Sequence, residues 1–129
     1  MNEFLDTREI PVDVADADNN KVYGILSYLS ILFLVPLLAA KDSAFAKFHA
    51  NQGMVAFLTG LILNAATGIV GGILGTLRLG WLAGIIGSLV NLVMLAFVVI
   101  GIINAAQGKA KELPLIGQFH IIDSENKQA

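Results

Sequence analysis

An all-α integral membrane protein is the fold class this sequence predicts, and three observations carry it. Between Val22 and Gly108 the only charged residues are Lys41, Asp42, Lys47 and Arg78. The uncharged stretches they separate reach the roughly 20 residues that a helix needs to cross about 30 Å of hydrocarbon. The charged fraction of 14% and mean hydropathy of +0.74 would leave a water-soluble domain with far more apolar surface than it could cover. The architecture expected is three transmembrane helices, over about 22–40, 53–77 and 80–106, with room for a fourth, interfacial amphipathic helix after the first span.

An acidic tail over 1–20 precedes these spans. Glu3, Asp6, Glu9, Asp13, Asp16 and Asp18 face only Arg8 there, a pattern of a solvated, mobile segment. It lacks the basic start and apolar core of a secretory signal. The first span, Val22 to Ala40, is about 28 Å long as a helix, just enough to cross. Pro36 near its end removes a backbone donor and predicts a bend.

Segment 42–52 follows. Ser43 is placed to cap a new helix, and helical spacing puts Phe45, Phe48 and Gln52 on one side and Lys47 with Asn51 on another. A short amphipathic helix at headgroup level is the expectation, with Lys47, Phe48, His49, Asn51 and Gln52 as a candidate interaction surface.

The second and third spans carry small residues at regular intervals. Gly60, Asn64, Gly68 and Gly72 recur every four residues on one, with Gly71 and Gly75 as a second pair. Gly84, Gly87, Ser88 and Asn91 extend a similar strip on the other, which starts at Gly80. Such strips let helix backbones approach closely, and the short connection from Thr76 to Gly80 makes the spans antiparallel neighbours with their glycine faces opposed. Asn64, Asn91 and Asn104 read as interhelical hydrogen-bonding groups or, alternatively, as the lining of a polar path. A C-terminal tail over 113–129 completes the chain.

Counting lysine and arginine near the span ends places the Lys41/Lys47 loop and Lys109/Lys111 on one side, with Lys21 and Arg78 on the other. That excess orients the C-terminus to the cytoplasm and the acidic tail outward, in a multi-pass protein of the cytoplasmic (inner) membrane.

No catalytic constellation converges in this sequence, so the reading is non-enzymatic, and no cofactor is implied. Absence of cysteine removes disulfides and thiolate sites, and His49 with His120 is too little for a metal centre. Scattered lysines make no nucleic-acid footprint. Expected partners are membrane lipid and either other copies of the chain or other membrane proteins. The function expected is a self-associating or accessory subunit of a membrane complex. Alternatives are a component of a transport or translocation pathway, and an immunity or membrane-stress protein.

The runs from Tyr23 to Lys41, Ser43 to Gly53, Gly101 to Lys109 and Leu113 to Gly117 resemble a family of small bacterial membrane proteins of unknown function. That family is similar to the twenty-kilodalton component of the chloroplast inner-envelope protein translocon. The resemblance covers about residues 20–118, and Phe48 to Gln52 is its most specific part. It implies a small helical membrane domain without catalysis, associated with itself or with larger complexes, and four crossings in the plant component against the three counted here.

Overall fold

The structure is a computed structural model that describes residues 9–119 and 121. Helices dominate: α1 (Val14–Leu26), α2 (Leu34–Ala39), α3 (Ala44–Thr76) and α4 (Gly80–Ala106), with a 3-10 turn at Ser30–Phe33 before α2. Two short strands, β1 (Glu9–Ile10) and β2 (Ala110–Lys111), pair antiparallel with Glu9 opposite Lys111. Because β1 precedes α1 and β2 follows α4, that pairing brings the two ends of the described chain to one end of the molecule.

Among the described residues two helices, α3 and α4, are long and apolar enough to cross a membrane. They form the antiparallel hairpin that the short connection predicts. Arg78 takes a left-handed conformation (φ 62) and the Leu79 amide reaches back to the Leu74 carbonyl at 2.7 Å, which closes α3 with satisfied carbonyls. Beyond Ala56 no residue of α3 is buried within the chain, and on α4 only Phe97, Gly101, Asn104 and Ala105 are. Leu61, Ile62, Ile69 and Ile73 on α3, with Trp81, Ile85, Leu89, Leu92 and Leu95 on α4, stand exposed. An apolar belt of this kind has hydrocarbon as its solvent, and the protein is a helical membrane protein.

The expected first span, 22–40, is not one crossing helix. α1 begins earlier, capped by Asp13, kinks at Asn20 (φ −121) and ends at Leu26. The chain then turns through Ser27 to Leu29, Ser30 adopts φ 58, and the 3-10 turn and α2 run back. Both ends of this excursion meet: Asp16 near the start of α1 accepts hydrogen bonds from the Ser43 hydroxyl and the Phe45 amide, just after α2. The segment is therefore a re-entrant hairpin rather than one long helix, and the pairing of β1 with β2 sets Glu9 beside Lys111 at one end of the molecule, where a third crossing helix over 22–40 would have put them at opposite ends. Pro36 does not interrupt a long helix. It sits in the first turn of α2, where its missing donor has no intrahelical partner to lose.

Segment 42–52 also differs from expectation. It is not a separate helix on a surface but the first three turns of α3, with Ser43 as the predicted cap, accepting from the Ala46 amide at 2.9 Å. Asp16 adds a carboxylate at the same helix start, where the dipole favours an anion. The expected acidic tail over 1–20 includes β1 and the first half of α1; residues 1–8 lie outside the described residues, as do His120 and 122–129.

Candidate functional site

The buried polar groups gather where α1, the start of α3, the end of α4 and the segment 109–121 meet. Helical spacing turns Phe45, Phe48, His49 and Gln52 into this interior, together with Asn51. His49 is fully buried, ringed edge-on by Tyr28, Phe45 and Phe48. Its Nε2 lies 2.7 Å from the Lys109 carbonyl, which can only accept, so the proton resides on Nε2. Nδ1 is then bare, and the Tyr28 hydroxyl, 2.5 Å away, donates to it.

Residues 109–119 and 121 form a strap across this interior, and Gln52 spans its next part. Its Nε2 donates to the Gly117 carbonyl at 3.0 Å, and its Oε1 accepts from the Leu113 amide at 2.9 Å. Asn51 does the same further on, donating to the Phe119 carbonyl at 3.0 Å and accepting from the Ile121 amide at 2.7 Å. From α4, Asn104 reaches the Lys111 carbonyl at 3.4 Å. Four side chains thus supply the hydrogen bonds that a non-helical segment crossing a buried surface otherwise lacks.

Phe48, His49, Asn51 and Gln52 therefore do not form an exposed interaction surface. They are inside the fold, and Lys47 alone of that set is partly exposed. The spacing pointed to a polar face, but nothing in it said that the chain returns sixty residues later to cover that face. Asp16, Tyr28 and Ser27 belong to the same cluster, and no motif in the sequence marks them as site residues. Gly24, on the face of α1 that meets Phe45, His49 and Ala105, precedes Tyr28 by four residues, but Tyr28 itself lies in the turn after α1.

Two close approaches build the cluster. At Gly53 a Cβ would lie 1.7 Å from the Ser27 carbonyl oxygen, so the apex of the re-entrant hairpin rests directly on the α3 backbone. At Gly101 a Cβ would lie 2.2 Å from the Tyr28 ring, which needs that space to aim its hydroxyl at His49. Gly108, at φ 73, ends α4 and starts the strap.

The small-residue strips divide into two sets. Gly60, Gly71 and Gly87 face the partner helix, against Met94, Ala83 and Thr67 respectively. Gly68, Gly72, Gly75 and Gly84 meet nothing, and Ser88 is exposed, so they do not oppose one another across the hairpin. Asn64 donates to its own helix at the Gly60 carbonyl, 2.7 Å away, rather than to α4. Asn64 and Asn91 line one lateral cavity of about 250 Å³, with Tyr28, Ser30, Phe57 and Met94. Asn104 is not among its lining residues and is tied to the strap, so the three asparagines do not mark a single path.

Among the described residues no three His, Asp or Glu side chains stand together as a metal-binding group. Both ring nitrogens of His49 are engaged, so the cluster acts as a latch between the strap and α3.

A model of the magnetosome magnetite crystal formation protein family matches residues 19–120. The magnetosome protein MmsF of Paramagnetospirillum magneticum is 35% identical over 95 residues, covering 74% of this chain and 79% of that protein. The magnetosome protein MamF of Magnetospirillum gryphiswaldense is 34% identical over 96 residues, covering 74% and 76%. A UPF0132 membrane protein of Methanocaldococcus jannaschii is 32% identical over 98 residues, covering 74% and 64%. No solved structure matches. These matches correct the resemblance to the chloroplast translocon component: the stretch that suggested it, about residues 20–118, falls within the part of the chain that the magnetosome family matches. The chain belongs to the magnetosome magnetite crystal formation protein family.

Proposed function

We propose that the protein is a non-enzymatic membrane subunit that organises a protein assembly within its bilayer and, like the relatives named as magnetosome proteins, serves magnetite crystal formation. One observation carries the assembly part. The α3–α4 hairpin leaves a row of small and polar residues uncovered on the side of its lateral cavity, running from Asn64 through Gly68 and Gly72 on α3 and from Asn91 through Ser88 to Gly84 on α4. Its exposed neighbours Ile62, Ile69, Leu89 and Val93 are large and aliphatic, suited to lipid. Membrane helices associate through rows of the first kind, because close backbone approach and interhelical hydrogen bonds replace the missing hydrophobic drive. The Asn91 amide in particular gains from a partner in hydrocarbon.

In this reading the chain crosses the bilayer twice, through α3 and α4, and its orientation follows from charge. Lys21, Lys41, Lys47, Lys109 and Lys111 share the end that carries the strap, and Arg78 stands at the other, which directs the strap end to the cytoplasm. The membrane is the cell membrane or one continuous with it.

Gly68→Leu combined with Gly72→Leu fills the row without touching the interhelical contacts. Cross-linking and sedimentation in mild detergent should show the assembly dissociating toward monomer; unchanged assembly counts against the proposal. The magnetite part has its own test, since expression of this chain in a magnetite-forming host that lacks a family member should restore crystal formation. A chain that inserts and assembles but restores nothing refutes that part alone.

A further inference from the structure

We propose that the α1–α2 hairpin is a wedge for the cytoplasmic leaflet alone, a lipid-binding surface that makes the protein favour membrane curved convexly toward its strap end. This rests on the two-crossing, strap-inward reading above. Within one leaflet the protein presents four chain segments, α1, the 3-10 turn with α2, α3 and α4; in the other it presents only α3 and α4.

Depth is set by contacts along α3. The ends of the hairpin lie at the helix start, where Asp16 meets Ser43 and Phe45. Its apex lies at Gly53, against the Ser27 carbonyl, and Phe33 stacks on Phe57 with ring centroids 5.6 Å apart. From Ser43 to that level is 10 to 14 residues of helix, or roughly 15–20 Å. All 33 residues of α3 give roughly 50 Å, so with modest tilt the helix matches a bilayer of about 40–45 Å including its headgroups. Lys41 with Asp42 and Arg78 then stand at the two outer edges. The hairpin apex therefore passes the headgroup layer and enters the hydrocarbon of one leaflet, the depth at which interfacial helices bury their apolar face.

Composition of the outward face identifies lipid as the occupant. Leu29, Ile31, Leu32, Leu34, Val35 and Leu38 are exposed, large and aliphatic, unlike the small and polar row that suits a helix. They stand at and above the level where the exposed belt of α3 begins, so one uninterrupted lipid-facing surface covers both. The charged residues of the hairpin are Asp13, Asp16, Asp18 and Lys21 on its first limb and Lys41 and Asp42 at its far end, and none lies from Val22 through the apex to Ala40. A helix pair roughly 10–12 Å across per helix, added to one leaflet only, spreads that leaflet's headgroups relative to its chains. Curvature toward the hairpin relieves that mismatch, and binding of such elements is curvature-sensitive.

The test uses the whole chain reconstituted into phosphatidylcholine–phosphatidylglycerol vesicles of mixed diameter, with protein density per lipid read vesicle by vesicle and sidedness read by protease access to the strap. Strap-outward protein should be at least about twofold denser in the smallest vesicles than in the largest, and Ile31→Gln with Leu32→Gln and Leu38→Gln should abolish the bias. Because those side chains are exposed, the variant should keep the wild-type fold by circular dichroism. Density independent of diameter, or an equal bias in the variant, overturns the wedge. A bimane label on Leu32→Cys locates the apex: quenching by a lipid spin label near the glycerol supports the proposal, and quenching by aqueous iodide alone overturns it. Labelling of Asp18→Cys and Asp42→Cys from opposite faces would instead sink the two-crossing reading beneath it.

Discussion

Replacing Gln52 by leucine tests whether the buried amides latch the strap onto α3. The substitution keeps the volume near that of the native side chain but removes its two hydrogen bonds, to the Gly117 carbonyl and from the Leu113 amide. Gly117 and Leu113 are themselves buried, so both backbone groups lose their Gln52 partner away from water. Each such group costs about 1–3 kcal/mol, or about 2–6 kcal/mol for the pair. A loss of only about 2 kcal/mol already corresponds to about thirtyfold in the opening equilibrium of the strap. Amide hydrogen exchange in detergent should therefore quicken by at least about thirtyfold at Leu113, while amides of α3 beyond Gly60 and of α4 below Phe97 keep their protection. Lys47→Gln, at the partly exposed neighbour, should leave Leu113 unchanged. Native protection at Leu113 in Gln52→Leu would refute the latch.

Three further outcomes follow from the same geometry. Tyr28→Phe leaves Nδ1 of His49 buried without its donor, which should lower the thermal midpoint in detergent by at least about 3 °C, read by differential scanning fluorimetry. Gly101→Ala drives a methyl group into the Tyr28 ring and should cost about 1–3 kcal/mol by denaturant titration; Gly84→Ala, where a Cβ meets nothing, should cost less than about 0.5 kcal/mol. Asp16→Ala removes the carboxylate that receives the Ser43 hydroxyl and the Phe45 amide, and accelerated exchange confined to the first turn of α3 is the expected signature.

The part of this architecture legible in the sequence is the part governed by local rules. Long uncharged runs, a three-residue connection and a serine before an amphipathic turn suffice for the α3–α4 hairpin and its cap. Segment 22–40 has the length and hydropathy of a third span because both properties are blind to tertiary contact. What folds it back is the fit of Ser27 against Gly53, Tyr28 in the space above Gly101, and Asp16 on the start of α3, all distant in sequence. Gly53 and Gly101 sit among many glycines whose spacing speaks of helix packing, so nothing local marks them as seats for another element. His49, Asn51 and Gln52 likewise read as a polar face in search of a partner. The partner is the backbone of 109–121, and backbone groups leave no trace in side-chain patterns. A resemblance built on the same stretches found a membrane family but the wrong one, since apolar helices with small residues recur for reasons of packing alone.

We propose above all that the chain crosses the bilayer twice and gathers its latch on one side. The most direct test is labelling of single cysteines by a membrane-impermeant maleimide in sealed vesicles of known sidedness, clean here because the native sequence has no cysteine. Asp18→Cys and Lys109→Cys should react from the same face and Arg78→Cys from the other. Reaction of Asp18→Cys and Lys109→Cys from opposite faces would contradict the account.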